Sequence, residues 1–304
     1  MTSTQIQSWP SLVFAVLVTV VLAGCGGGTD QPSEAERMAE EHEGDTPVAT
    51  EAAQRPAIPV EGRTVSYGQL SGDSLTGYLA VPANVDSVLS ARGMDPETDA
   101  LPGLVVIHEW WGLNDNIRAA TRRLAGEGYR ALAVDLYGDA VAQTPDSAQA
   151  LMGQAMEAPA RLVSNVETAH DYLLSNASTS RLAVLGWCFG GGMTYRTLAN
   201  LPSAFDAAVA YYGTPSPLSG EALQAVDTPI LAHFGTQDQA VTIEVARDFR
   251  DRMNEAGKAL TYHEYDAGHA FANPSGEQYD PAAADSAWAR TTEFLQMHLY
   301  PEGE

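Results

Sequence analysis

The sequence predicts an α/β fold, a mostly parallel sheet with helices on both faces. Two observations carry that reading. From Leu104 to Leu299, short apolar runs alternate with stretches of helical period, the pattern of a parallel sheet buried on both sides. The chain has 304 residues, 45% of them hydrophobic, a length for one large α/β domain with additions or for two small domains, and the unbroken alternation favours the first.

Taken in order, residues 64–70 and 75–81 read as a hairpin turning on Ser71-Gly72-Asp73. Residues 82–103 are polar and without period, an excursion rather than an element. Residues 104–107, Leu-Val-Val-Ile, form a strand apolar on both faces. Residues 116–127 have helical period and stop at Gly128. Residues 129–134 are the next strand, and residues 145–176 carry helical period in two pieces. A strand at 181–185 runs through a Gly-rich turn into a helix reaching about Ala199. Strands follow at 207–211 and 229–234. A helix at 243–256 is closed by Gly257, a strand lies at 260–265, and a last helix covers 282–299.

Charge excludes some functions. There are 39 acidic and 16 basic side chains, a formal net charge of −23, so the surface would repel nucleic-acid phosphates. Lys258 is the one lysine. Arginine-favouring codon usage explains that, and so does adaptation to high salt, in which excess carboxylates keep the surface hydrated. No G-x-G-x-x-G follows the first strand and no G-x-x-x-x-G-K-[ST] occurs, so nothing supports a dinucleotide or P-loop site.

Residues 12–23, LVFAVLVTVVLA, are too short to span a bilayer comfortably and suit the apolar core of a signal peptide. They run into Leu22-Ala23-Gly24-Cys25, which resembles a bacterial lipobox, with Cys25 as the lipidated first residue of the mature chain. No Lys or Arg precedes the apolar run, a departure from the usual signal peptide. The expected organisation is a lipoprotein signal peptide at 1–24, a flexible acidic tether at 25–60 and an α/β domain at 61–304. The domain would sit outside the cytoplasm, held to a membrane through Cys25. The tether is rich in Gly, Pro, Glu and Ala and too poor in large apolar residues to offset its ordering entropy; its His42 receives no function.

Gly186-Trp187-Cys188-Phe189-Gly190-Gly191 has the form G-x-C-x-G-G between a strand and its helix. This is a nucleophile elbow with Cys in place of Ser. The flanking glycines let the strained turn approach neighbouring backbone, and the following helix directs positive dipole toward sulfur. An acid and a histidine should follow in that order. Asp238 lies in the loop after the strand at 229–234, and His269 follows the last strand in Asp266-Ala267-Gly268-His269. Asp227, Asp248 and Asp266 do not follow the penultimate strand's end. His233, at a strand end, reads equally as a satisfied core residue.

Together with His108-Glu109-Trp110-Trp111-Gly112-Leu113-Asn114, the Asp-Leu-Tyr-Gly-Asp run at 135–139 and Gly-His-Ala-Phe around His269, these motifs resemble the dienelactone hydrolase family over residues 63–299. The resemblance implies an α/β-hydrolase fold. It implies a Cys188–Asp238–His269 triad, with Glu109 against the thiol and governing when sulfur ionises. The backbone N–H groups of Trp110 and Phe189 would form the oxyanion hole. Two arginines that grip a substrate carboxylate in the family are replaced here by Asp139 and Asn273. Neither offers an arginine fork. Trp111, Tyr137, Asp139, Phe271 and Asn273 are therefore candidate pocket residues for a changed substrate, while Trp187 reads as core.

The function expected is a cysteine-dependent hydrolase of small-molecule esters or lactones working through an acyl-thioester, with no metal or organic cofactor. Two alternatives stand beside it: a surface-tethered binding protein on the same scaffold, and a thioesterase or peptidase. Nothing in the sequence sets the oligomeric state.

Overall fold

The computed structural model describes residues 1–2, 34–45, 55–177, 179 and 181–300. The apolar run at 12–23 and Cys25 lie outside the described residues. Among the described residues, no helix is long and apolar enough to cross a membrane. Everything below concerns the body Pro32–Glu304.

Strands β1 (Val60–Leu70) and β2 (Asp73–Pro82) form the expected hairpin, longer at both outer ends than the sequence suggested. A register shift between Ser66 and Gly68 bends β1. Then come β3 (Gly103–Ile107), β4 (Arg130–Val134), β5 (Leu182–Trp187), β6 (Ala207–Tyr211), β7 (Ile230–Gly235) and β8 (Leu260–Tyr265). The order across the sheet is β1-β2-β4-β3-β5-β6-β7-β8, with β2 antiparallel to both neighbours and β3 through β8 mutually parallel. Every residue of β3, β5, β6 and β7 is buried, which is why these strands are apolar on both faces.

Helices cover the two faces: α3 (Asp115–Gly126), α4 (Pro145–Met156), α5 (Pro159–Ala177), α6 (Phe189–Asn200), α8 (Ile243–Glu255) and α9 (Pro281–Leu299). Their starts are chemically marked. Asn114 accepts from the Ile117 N–H at the start of α3, Thr144 and Ser147 form a reciprocal capping box on α4, and Asp280 accepts from Ala283 N–H beside Pro281. Two short helices interrupt stretches without period in the sequence: α2 (Val85–Ala91), inside the expected excursion, and α7 (Gly220–Ala225).

One element departs from the expected tether. Helix α1 (Glu34–Glu41) and the turn after it pack onto the domain, burying Met38, His42 and Asp45. Met38 and His42 are four residues apart and so share one side of the segment. Asp45 accepts from the Glu277 N–H at 2.6 Å and Glu41 from the Gln239 N–H at 2.7 Å.

The sheet places the site. The chain leaves β3 to build β4 on one side, then returns to build β5 on the other. The crevice at the carboxyl ends of β3 and β5 is therefore a topological switch point, where open α/β sheets bind ligands.

Candidate active site

Cys188 sits between β5 and α6 with φ 53° and ψ −118°, a left-handed-side backbone rarely adopted by a residue with a side chain. Its N–H donates to the Tyr211 carbonyl at 3.0 Å and its carbonyl accepts from Gly192 N–H at 3.0 Å. The turn survives because its neighbours lack side chains. A β-carbon at Gly186 would lie 2.4 Å from the backbone of Gly190, and one at Gly191 2.6 Å from the Tyr211 carbonyl oxygen. The first turn of α6 has no intrahelical acceptors for its N–H groups, and Cys188 stands at its start.

His269 and Asp238 reach this turn from the loops after β8 and β7. His269 Nδ1 donates to Asp238 Oδ2 at 2.7 Å, both side chains being fully buried. Asp238 Oδ1 accepts from the N–H groups of Ala240 and Val241 at 2.8 and 2.7 Å, so the carboxylate is fixed in place while it orients the ring. The other ring nitrogen faces the sulfur. Burial pushes the Cys188 thiol up, but the imidazoles of His269 and then His42 outweigh it and bring the thiol to about 6. His269 shifts the opposite way. Burial lowers it, and Asp238 and the sulfur hold it well above the ordinary histidine value. A thiolate beside an imidazolium is the state this environment favours.

Glu109, just past β3, is buried. Its carboxyl accepts from the Tyr212 hydroxyl at 3.3 Å and from Asn273 Nδ2 at 2.7 Å. Burial first, then the neighbouring sulfur, raises it to about 8. Tyr212 holds its place with φ 37°, so a second strained residue serves the site. The resemblance implies Glu109 against the thiol; its hydrogen bonds run to Tyr212 and Asn273, and the sulfur is close enough to help hold its proton on.

The candidate pocket residues separate. Asn273 is not free to meet a substrate. It donates to Glu109 and its Oδ1 accepts from Asn116 Nδ2 at 2.8 Å and from Ser275, so it is a positioning residue for the carboxyl. Asp139 accepts from Thr76 Oγ1 at 3.3 Å and lines a cavity beside β2 and α5 whose walls do not include Cys188. Tyr137 lines that same cavity and packs on the rings of His108 and Phe189. Phe271 is core, packed against Tyr212 and Tyr265. Trp187 is buried as expected, against Tyr211. Trp110 and Trp111 are buried edge to face, 5.2 Å apart, in the turn after β3.

The cavity that does open at Cys188 has a volume of about 310 Å³ and was not foreseen. Its walls include four methionines (Met38, Met152, Met156, Met193), with Phe189, Pro217 and one cation, Arg196. Among the described residues Arg196 makes no ion pair. Above the sulfur lie Met38 and His42 of the α1 segment, whose spacing of four was the only trace in the sequence.

A family model for the dienelactone hydrolase family matches residues 89–299. The chain belongs to this family. Membership makes it a carboxylic ester hydrolase. It is 33% identical over 213 residues to carboxymethylenebutenolidase 1 of Cupriavidus pinatubonensis, covering 66% of this chain and 88% of that one. It is 32% identical over 230 residues to the carboxymethylenebutenolidase of a Pseudomonas species, covering 73% and 95%. Among solved structures it superposes on a dienelactone hydrolase-like promiscuous phosphotriesterase from metagenomic libraries. There the TM-score is 0.66 and the identity 23%, covering 80% of this chain and 99% of that one. That likeness shows the fold, as the eight-stranded, mostly parallel sheet does.

Proposed function

We propose that this dienelactone hydrolase family member cleaves esters or lactones through Cys188 as a covalent nucleophile. The observation that carries the reading is the buried Asp238–His269 pair, bonded at 2.7 Å, facing a thiol at a strained strand-to-helix turn. The thiolate Sγ attacks the substrate carbonyl carbon, and the carbonyl π electrons move onto oxygen. The N–H groups of Trp110 and Phe189 stabilise that oxyanion. Collapse reforms the carbonyl and breaks the bond to the alkoxide, which takes the proton from His269 Nε2. The acyl-thioester is then attacked by water, whose proton passes to His269, and the acid leaves as Sγ is expelled. Glu109, held by Tyr212 and Asn273, keeps its proton up to about 8 because of burial and the neighbouring sulfur, so its uncharged carboxyl leaves the thiolate unopposed near neutral pH, and losing that proton would work against it.

The methionine-walled cavity supports a substrate with an apolar portion next to the reacting carbonyl. Arg196 is the cation in its lining. An anionic group would meet Arg196 rather than Asp139 or Asn273. The test is intact-mass spectrometry of the full chain with activated aryl esters and lactones, each with and without a carboxylate. Wild type should gain one acyl group on Cys188. Cys188→Ala should gain none and lose at least about 10³-fold in turnover. Undiminished turnover by that variant would sink the mechanism, and a folded wild type silent across the panel would put a binding role first.

We also propose that the protein is exported and anchored through a lipid on Cys25, on the strength of the Leu22-Ala23-Gly24-Cys25 run after the apolar segment. Expressed at full length in a bacterium, it should partition with membranes, and Cys25→Ala should release it. Equal partitioning of the two would refute the anchor.

A further inference from the structure

The proposed hydrolysis uses one of two His–Asp pairs that converge on Cys188. The second is made of His42 and Asp45, and acyl transfer needs no second imidazole. His42 Nδ1 donates to Asp45 Oδ2 at 2.7 Å, as His269 Nδ1 does to Asp238 Oδ2. Both rings are fully buried, and the Nε2 of each lacks a hydrogen-bond partner of good geometry. One ligand atom each from His42, Cys188 and His269 lies within 4.8 Å of the others. The two rings stand edge to face, 5.4 Å apart. Met38 brings its thioether sulfur to 3.3 Å from Cys188 Sγ.

This arrangement has the chemistry of a metal centre. A ligating histidine ordinarily gives its other N–H to a carboxylate, which fixes the tautomer and strengthens the donor nitrogen. Both histidines here have that partner. Two imidazoles and a thiolate, with a thioether as weak fourth ligand, suit a soft, thiophilic ion. Metal–ligand bonds of about 2.0–2.3 Å put the donors of a tetrahedral site roughly 3.3–3.8 Å apart, so the side chains need to close by no more than about 1.5 Å.

We propose that His42, Cys188 and His269, with Met38 as a weak fourth ligand, form a binding site for one thiophilic d10 cation, Cu(I) or Zn(II), and that the bound ion fastens the α1 segment over the nucleophile. Binding takes up the thiolate Sγ, sends the protons on the two Nε2 atoms to solvent and leaves each Nδ1–H on its carboxylate. The lone pair that would attack a carbonyl is then committed to the metal, so the loaded protein does not turn over. The thioether is what separates the two candidate ions, since it is a ligand for Cu(I) and a poor one for Zn(II).

The consequence for turnover rests on Cys188 being the nucleophile, whereas metal binding does not. The experiment therefore reads binding directly. The full chain, reduced and metal-free under argon, competes with a chromogenic chelator for Cu(I) and in parallel for Zn(II). Co(II) serves as an absorption probe of thiolate and imidazole ligation. The expected result is one equivalent bound, with a sulfur-to-cobalt charge-transfer band. His42→Ala should weaken binding at least 100-fold. Asp45→Asn, which keeps the ring, should weaken it about 10–100-fold. Met38→Leu should weaken Cu(I) binding and leave Zn(II) binding unchanged; no effect on Cu(I) would remove Met38 from the site. Thermal melts of the metal-free variants check that each is folded. No stoichiometric binding, or binding that His42→Ala and Asp45→Asn both leave intact in folded protein, would overturn the site. If Cys188→Ala keeps its ester turnover while wild type binds metal through His42, the hydrolytic mechanism fails and the metal site stands.

Discussion

A β-carbon at Gly190 would lie 2.3 Å from the Ile107 carbonyl oxygen and 2.6 Å from that of His108. These are backbone atoms of β3 and the turn after it, so no side-chain rotation relieves the clash. The closeness has a purpose: it presses the start of α6 against the end of β3 and thereby brings Cys188 and Glu109 into one charge environment. Gly190→Ala should destabilise the protein by about 3 kcal/mol or more, measured by urea unfolding, and should lower activity in whatever fraction still folds. Wild-type stability would mean that β3 and α6 can separate without cost. Charge at the site is balanced on the same scale. Burial and sulfur raise Glu109 to about 8, while the two imidazoles bring the thiol down to about 6. Two groups of opposite tendency thus share one dry crevice, and each protonation state depends on the other.

At the scale of elements, α3 shows how much a cap decides. Its helical period is evident only from Asn116, but Asn114 accepts from Ile117 N–H at 3.0 Å and starts the helix at Asp115. Asn114→Ala should cost about 1 kcal/mol in thermal or urea unfolding; no loss would show the helix start is held by packing on the sheet alone. Elements of this kind, long and periodic, were legible, as were β3, β5, β6 and β7 from their apolar runs. The meeting of Cys188, Asp238 and His269 was legible too, because an elbow, a loop Asp and a loop His are local patterns in a fixed chain order. Short helices were not. The seven residues of α2 hold one buried side chain, Leu89, and six-residue α7 likewise holds one, Leu223. Nor was α1. Its composition is that of a solvated segment, and its burial comes from docking Met38 and His42 on residues some 150 and 227 positions away. The contact of Asn273 with Glu109 spans 164 positions, and no local pattern encodes it. That is why two positions read as substrate contacts turned out to have partners of their own.

Over the whole molecule, a net charge of −23 and a buried histidine act on stability with separable signatures. His233 joins β7, β8 and α9. Its Nδ1 pairs with the Tyr265 hydroxyl at 2.9 Å and its Nε2 with Thr291 Oγ1 at 3.0 Å, with the Tyr211 ring 4.4 Å away. Burial first, then His263 and Arg290, holds it well below the ordinary histidine value. The sign follows from proton counting. Below about 6.5 the unfolded chain binds a proton at this position that the folded chain refuses, so the unfolding free energy falls as pH drops through that value. Buried His108, also lowered, adds in the same direction. His42, raised to about 9, acts oppositely: its stabilisation is whole below 6.5 and is lost as pH rises through 9. Bulk measurement therefore mixes the terms, and the difference between wild type and His233→Asn separates them. Wild type should lose stability relative to the variant between pH 6.5 and 5, and the difference should persist in high salt, because a fully buried group is little screened. Repulsion among surface carboxylates behaves otherwise. It should weaken with added salt at every pH, raising both proteins' stability together. Parallel pH curves for the two proteins would mean that His233 takes up its proton inside the fold, and the bonds to Tyr265 and Thr291 would then have to be donated from a charged ring.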